Sequence, residues 1–350
     1  MGVKAIGIDI FGGGFTVGVR KAGFEVLAQW EECGAGRKTW DLNAARYFQG
    51  IARPLTHREW DVMLAADLVY ANPPCAPWSA ANTKLGMTPE LRSKDPRLAM
   101  TERAMLAGQA ISPKVFVLET VARGYTLGRA YYDKWAEQWL ELGYGVTYYL
   151  TDALLLGVPS TRQRFHFIAH RNEVNLPEPY MKTFMPKTCS MAIGDLVDRF
   201  GHVTHHVPKR IGRDYWEAME KCEQGELLVN HRPRSGFLLR RMVWDAPGYT
   251  QVNVDSHLIH PLRPRFLTWR EGLRLCGYPD DFVLHQSEPH AATQAVLPMV
   301  GEHLGRIALD SMDNGRAQNE LEIVDHRDLA KPYRPGEVGK LLREESDDLR

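Results

Sequence analysis

At 350 residues, 44% hydrophobic and 25% charged, the chain has the make-up of a globular protein of one large domain or two moderate ones. No run approaches the roughly 18 apolar residues of a membrane span, and the opening MGVKAIGIDIFGGG lacks the basic, apolar and small-residue regions of a secretory leader. Forty-three basic residues balance 43 acidic ones, so composition announces no nucleic-acid binder and any cationic surface must be local.

Val3–Phe11 is an apolar run ending in Asp9-Ile10-Phe11, with Gly12-Gly13-Gly14 behind it. A strand, a glycine turn and a helix over Phe15–Lys21 open a nucleotide-binding α/β unit, although three glycines also suit any tight connection. Glu25–Trp30 reads as a second strand that ends at Glu31-Glu32. An acidic residue there either holds ribose hydroxyls or is a solvated loop charge. Thr39–Phe48 has helical spacing, with Gly50 as a stop.

Leu68–Ala71 is a short buried strand broken by Asn72-Pro73-Pro74. Two prolines fix φ and remove two backbone donors, so the ladder cannot continue. Cys75 therefore sits on a stiff turn at the carboxyl end of a strand, where open α/β sheets bind ligands. Taken alone it could equally be a buried structural thiol. The five cysteines, at 33, 75, 189, 222 and 276, are widely spaced and odd in number. That fits the reducing cytoplasm and a free thiol better than a disulfide framework, and it suggests no metal knuckle.

Thr101–Gln109 reads as a helix, and Lys114–Leu118 as a strand that ends on Glu119, a carboxylate for the same cleft or an exposed loop charge. An amphipathic helix over Tyr131–Leu142 and a strand over Gly145–Thr151 follow. Val158-Pro159-Ser160-Thr161-Arg162-Gln163-Arg164 then leads into a strand over Phe165–Ala169. Arg162 and Arg164 alternate on one face, as a solvated edge or as two guanidinium forks converging on an anion or base edge. Strands alternating with helices argue an α/β fold with a doubly wound, mostly parallel sheet.

Composition changes near Arg171. Asn172–Pro261 is richer in His, Arg and Pro, with a local basic excess at Lys209-Arg210, Arg213, Arg232, Arg234 and Arg240-Arg241. Tyr215, Trp216, Phe237 and Trp244 are interleaved with these cations, which suggests an inserted module with a cationic face. Its histidines are not spaced for zinc. Phe266–Gly277 is a capped helix with Thr268 as N-cap and Glu271 three residues later. Ala291–Met312 reads as a long helix with Pro298 near its start or kinking it, and from Asp313 charge dominates as in an appended, partly disordered tail.

In order, these segments resemble the DNA cytosine-C5 methyltransferase family. DIFGGGFTVGVRKAGFEV with Glu31 looks like its cofactor strand, loop and ribose carboxylate, and NPPCAPWS like its nucleophile loop. Asp95-Pro96-Arg97 leading to PKVFVLETV is similar to the approach to its Glu-Asn-Val strand. VPSTRQRFHFIAH resembles its Gln-x-Arg-x-Arg strand, RFLTWREGLRLCGYPDDF the helix after its recognition module, and ATQAVLPMVGEHL its last helix.

The resemblance implies an S-adenosyl-L-methionine-dependent, Rossmann-like catalytic domain over 1–171 plus 263–312. It also implies a target-recognition insert over 172–262 and a charged tail over 313–350. Cys75 would attack C6 of a flipped cytosine, so that C5 can take a methyl group. Glu119 would hydrogen-bond and protonate N3, Arg164 would hold O2, and Arg162 would support the site. Asp9, Phe11, Gly12, Gly13, Gly14, Glu31, Pro73, Gln294 and Ala295 would hold the cofactor. Arg232, Arg234, Arg240 and Arg241 would contact double-stranded DNA, with the protein a monomer in a bacterial or phage-infected cell, off the membrane and without a metal.

Four departures from the family pattern stand out. The glycine loop is two residues shorter than Phe-x-Gly-x-Gly-Gly, and Ala76 follows the cysteine where the family has Gln. Thr120 and Ser160 replace the Asn of Glu-Asn-Val and the Gln of Gln-x-Arg-x-Arg, and Thr293-Gln294 replaces the final Gly-Asn. Three of these changes fall around the cofactor pocket, so an enlarged cofactor such as a carboxylated S-adenosylmethionine is an alternative. A catalytically silent DNA-binding relative and an enzyme of free nucleotides are two others.

Overall fold

The computed structural model describes residues 2–31, 34–51, 65–82, 88–176, 186–229, 239–254, 257–335 and 337. Arg232 and Arg234 lie outside the described residues. The chain divides into two compact units. One takes Met1–Thr151, Gln163–Glu178 and Val300–His326, and the other Asp152–Arg162, Pro179–Met299 and Arg327–Arg350.

In chain order the strands are β1 (Lys4–Ile8), β2 (Glu25–Trp30), β3 (Leu68–Ala71), β4 (Val115–Val121), β5 (Gly145–Asp152), β6 (Gln163–His170), β7 (Leu227–Leu228), β8 (Leu239–Arg241), β9 (Leu258–Ile259) and β10 (Leu321–Asp325). The helices are α1 (Gly14–Ala22), α2 (Arg37–Tyr47), α3 (Pro89–Arg92), α4 (Leu98–Ile111), α5 (Arg123–Leu127), α6 (Arg129–Glu141), α7 (Cys189–Ile193), α8 (Arg213–Lys221), α9 (Trp269–Leu275) and α10 (Pro298–Ser311).

The first unit is built on a seven-stranded sheet of order β10-β5-β6-β4-β3-β1-β2. β1 runs parallel to β2 and β3, and β3 runs parallel to β4. β6 runs antiparallel to β4, and β10 parallel to β5. The strands read as apolar runs because they are covered on both faces. On one face Phe116 stacks on Trp139 of α6 with ring centroids 5.0 Å apart, and Met105 and Ala104 of α4 join the same core. Burying one such side chain contributes about 1.5–3 kcal/mol. On the other face α1 packs against α10 through glycines. A Cβ at Gly301 would fall 2.8 Å from the Phe15 carbonyl oxygen, and one at Gly305 would fall 2.8 Å from Ala22 Cβ.

The register decides what the sheet can do. Ile8 is opposite Trp30 and Ala71, and Ala71 is opposite Leu118. The next residues of the four neighbouring strands are Glu31, Asp9, Asn72 and Glu119, so one carboxyl edge carries three acids and an amide.

Two sequence expectations are corrected here. The long helix over Ala291–Met312 begins only at Pro298. Proline has no N–H and clashes inside a helix but fits its first position, so the chain starts a helix there. Three carbonyls of this segment instead accept from side chains: Ala292 from Tyr278 Oη at 3.2 Å, and Thr293 and Ala295 from Arg162 at 2.5 and 3.2 Å. The tail expected from Asp313 also contains β10, which adds to the edge of the sheet at β5. Leu321, Ile323 and Val324 are enough for a short edge strand, although the charge around them dominates the composition.

The second unit holds the three-stranded sheet β7-β8-β9 and the helices α7, α8 and α9. Thr268 caps α9 in a full capping box with Glu271. Arg265 forks onto the same glutamate at 2.7 and 2.8 Å, which holds its carboxyl below the usual range despite burial. Arg270, fully buried, donates to the carbonyls of Thr204, Pro279 and Phe282 at 3.0 Å each. Residues 263–299, expected with the catalytic domain, fall in this unit.

Candidate active site

The carboxyl edge of the first unit gathers most of the sequence candidates. β1 gives way to Asp9 and Phe11, both left-handed at φ 52° and 54°. Such conformations in non-glycine residues each cost about 1–3 kcal/mol and cluster at working sites. Glu31 is almost fully buried and accepts the Phe11 N–H through Oε2 at 2.7 Å. Gly13 (φ 87°) caps α1 without a side-chain hydrogen bond. A Cβ there would lie 2.3 Å from the Phe48 ring. Gly36 (φ 78°) presses on the other side of the loop, where a Cβ would lie 2.5 Å from the Gly12 nitrogen and the Phe11 carbonyl carbon. The short glycine loop is therefore set between an aromatic ring and the start of α2.

A buried polar network underlies this loop. Thr16 Oγ1 and Tyr70 Oη lie 2.7 Å apart, Gln29 donates to both, and Trp40 Nε1 donates to Gln29 Oε1 at 2.8 Å. Burial pushes the Tyr70 phenol up to about 12, so it stays a neutral hydroxyl.

One strand over, Asn72 and Glu119 meet. Asn72 Nδ2 donates to Glu119 Oε2 at 2.7 Å, and Arg164 Nε contacts Oε1 at 2.5 Å. Both Asn72 and Glu119 are nearly inaccessible to solvent. The amide and the guanidinium fix the carboxylate in one orientation at the edge of the sheet.

Cys75 follows Asn72 after the two prolines, is partly exposed and carries no disulfide. Its carbonyl accepts the N–H groups of Trp78 and Ser79 at 3.1 and 3.0 Å, which closes the chain into a turn. Trp78 is buried against Tyr131 and Tyr132, at 5.7 and 6.1 Å between ring centroids. Gly128 makes room for it, since a Cβ there would lie 2.9 Å from the indole. Arg92, fully buried, reaches the same turn. Its Nη1 donates to the carbonyls of Pro77 and Ser79 at 3.1 and 2.9 Å, and its Nη2 to that of Asn82 at 2.6 Å. Nearby, Arg97 grips Asp95 at 2.6 and 2.9 Å, and this hydrogen bonding holds the Asp95 carboxyl below its usual range.

Other candidates fall in the second unit. Arg162 lies before β6 rather than on one strand face with Arg164. Its guanidinium donates to the carbonyls of Thr293 and Ala295 at 2.5 and 3.2 Å. Gln294 is exposed and Ala295 buried. Arg240 lies over the Tyr249 ring at 4.7 Å. Arg241 is committed to the carbonyls of Pro261, Met219 and Cys222 at 3.0, 3.0 and 2.7 Å. Its Nε and Nη1 donors are thus directed at carbonyls inside the unit. Lys209, Arg210, Arg213 and Trp216, around the start of α8, are exposed.

Sequence reasoning missed Asn72 as a site residue and missed Arg92, Gly36 and the Tyr70 network altogether. Asn72 had a signal, since it is the last polar residue before the prolines. Arg92 had none, because nothing in PELRSKDP announces a buried guanidinium.

A family model described as C-5 cytosine-specific DNA methylase matches residues 7–306. The chain is 27% identical over 336 residues to Type II methyltransferase M1.HphI of Haemophilus parahaemolyticus, covering 88% of this chain and 87% of that one. It is 25% identical over 320 residues to Type II methyltransferase M.AplI of Arthrospira platensis, covering 88% and 86%. Among solved structures, S. pombe Dnmt2 methyltransferase superposes with a TM-score of 0.57 at 13% identity, over 89% of this chain and 99% of that one.

Proposed function

We infer the roles of individual residues from one premise: the chain belongs to the C-5 cytosine-specific DNA methylase family and is a DNA cytosine-5 methyltransferase. The observation that carries the reading is the row of Asp9, Asn72 and Glu119 along one carboxyl edge, with Cys75 three residues beyond Asn72.

Cytosine C5 is a weak nucleophile. In our reading Cys75 Sγ, as thiolate, forms a bond to C6 of a cytosine turned out of the duplex. Glu119 gives its proton to N3 as electron density moves into the ring. Asn72 and Arg164 orient that carboxyl, and Arg164 also holds O2. C5, made nucleophilic by the Cys75 adduct, would take the methyl group that the cofactor supplies, the S–C bond breaking with its electron pair left on the cofactor sulfur. Loss of the C5 proton to a base expels Cys75 as thiolate, and the N3 proton returns to the Glu119 carboxylate, which restores the aromatic ring and regenerates the enzyme.

The cofactor is S-adenosyl-L-methionine. The residues present fit it: a buried carboxylate ends β2, and the first turn of α1 has no side-chain cap. Glu31 would hold the ribose hydroxyls, and the α1 amides with the Gly12–Gly14 loop would hold the carboxylate of the amino-acid part. When bound, the cofactor supplies an electrophilic methyl group on a sulfonium. Lys209, Arg210, Arg213 and Trp216 are the described residues best suited to phosphate contact in the second unit.

Mass spectrometry of nucleosides from DNA of cells expressing the protein, beside a Cys75→Ser control, tests this reading. A Cys75-dependent 5-methylcytosine peak is expected. A heavier Cys75-dependent cytosine would mean that a group larger than methyl is transferred, and no modified cytosine would overturn the reading.

A further inference from the structure

We infer that Arg92 is a positioning residue for Cys75, holding the nucleophile turn by its backbone rather than by any side chain of the turn. The inference rests on Cys75 being the nucleophile. The turn from Ala76 to Asn82 has an unusual hydrogen-bonding problem. It leaves β3 through two prolines, contains a third at Pro77, and pairs with no strand among the described residues, its one internal backbone tie beyond Cys75 being the Asn82 N–H on the Ser79 carbonyl at 3.2 Å. Buried carbonyls without donors are costly. Arg92 supplies three of those donors from one side chain, to Pro77, Ser79 and Asn82, with the Ala76 carbonyl at 3.5 Å from Nη1. Asn82 adds a fourth tie, donating through Nδ2 to the same Ala76 carbonyl at 3.1 Å.

The geometry separates this role from plain core packing. The guanidinium is fully buried, yet its Nη donors meet backbone oxygens of residues one to seven positions beyond Cys75. A planar fork can satisfy several diverging carbonyls at once, whereas an ammonium group is a single compact donor. Trp78 anchors the floor of the turn against Tyr131 and Tyr132, and Arg92 fixes its side. Thr88 caps α3 and Arg92 is the last residue of that single turn, so the donor is itself held in register. Attack on a ring carbon tolerates little displacement, and misplacement by about 1 Å costs on the order of 100-fold in rate.

The test measures covalent capture of the protein by duplex DNA containing 5-fluorocytosine, with S-adenosylmethionine present, in the unsubstituted protein, Cys75→Ser, Arg92→Lys and Arg92→Met. DNA and cofactor affinity and thermal unfolding are followed in each. The expected result is rapid Cys75-dependent capture, slowed about 10-fold in Arg92→Lys and about 100-fold in Arg92→Met, with both affinities within about 3-fold. Capture rates unchanged in Arg92→Lys overturn the inference, and this variant decides if Arg92→Met does not fold. Capture that falls only in proportion to the unfolded fraction, or in step with DNA affinity, also overturns it. Absence of capture in the unsubstituted protein overturns the nucleophile reading itself, and this inference with it.

Discussion

Arg164 and Glu119 meet diagonally across the β4–β6 ladder. Glu119 is opposite His166 and Arg164 opposite Val121, and the guanidinium Nε lies 2.5 Å from the carboxylate. Both side chains are largely buried, at 12% and 3% exposure. Removing one partner leaves the other charge without compensation, which costs about 3–5 kcal/mol. Arg164→Ala should therefore lower the stability of the protein by about that amount, read by urea unfolding. Glu119→Gln also takes the counter-charge from Arg164, but Arg164 is the more exposed partner and the amide oxygen still accepts from it, so this variant should lose less stability and stay folded while losing at least about 100-fold in methyl transfer, because the amide cannot give up a proton. Equal losses of stability in the two variants would contradict the asymmetry.

Cys75 is partly exposed and forms no disulfide, and serine differs from it by one atom. Cys75→Ser should shift the unfolding midpoint by no more than the ±0.5 kcal/mol or so typical of surface changes. It should abolish both methyl transfer and covalent capture. Methyl incorporation from labelled cofactor and a thermal melt check the two halves of this prediction.

Gly36→Ala should loosen the cofactor loop. The new Cβ would meet the Gly12 nitrogen at 2.5 Å, and φ 78° is strained for alanine. The cost is about 1–3 kcal/mol, and weakened cofactor binding is expected to accompany it. Isothermal titration with the cofactor's demethylated product gives the readout, with unchanged affinity as the refuting result.

Acid should destabilise the first unit. Burial, then the nearby His303 and Arg164, lowers His166 to about 3. Burial also lowers His170 to about 4 and, with His326 adding to it, His303 to about 4. These histidines stay neutral when folded but gain protons when unfolded below about pH 6.5. Their stabilising effect is complete above that pH and is lost as pH falls from about 6.5 toward 4. By pH 5.5 the three together cost the folded state on the order of a few kcal/mol. Urea midpoints at pH 7.5 and 5.5 measure it, and replacement of His166 by phenylalanine should reduce the dependence by that one histidine's share.

The second unit separates two arginines by role. Arg213 is exposed and pairs with Glu217 on α8, whereas Arg241 feeds three carbonyls. Arg213→Ala should reduce the salt slope of DNA binding by about 0.9. Arg241→Ala should leave the slope unchanged and lower the stability of this unit by about 1–3 kcal/mol.

The sheet and its edge are largely legible in the sequence, because apolar runs bounded by glycine and proline carry their own boundaries. Glu25–Trp30 and Gly145–Asp152 are examples. Cys75, Glu119 and Glu31 are legible for the same reason, since each directly follows such a run or its proline stop. What stays hidden depends on contacts far apart in the chain. Arg92 reads as an ordinary surface arginine until the turn it serves is in place. Arg241 looks like its neighbour Arg240 until the carbonyls of Met219 and Pro261 surround it. β10 is masked by flanking charge, and the late start of α10 by a periodicity that continues across Pro298.

The close seating of α1 on α10, through Gly301 and Gly305, ties the first helix of the chain to one made after most of it has been synthesised. On the ribosome the helix behind the glycine loop has an uncovered apolar face until that late segment emerges. Folding of the cofactor-binding half is thus a closing event of high contact order, slow relative to local helix formation. A nascent chain arrested before Pro298 would present that face, with Phe15 and Val19, to chaperones and to other chains.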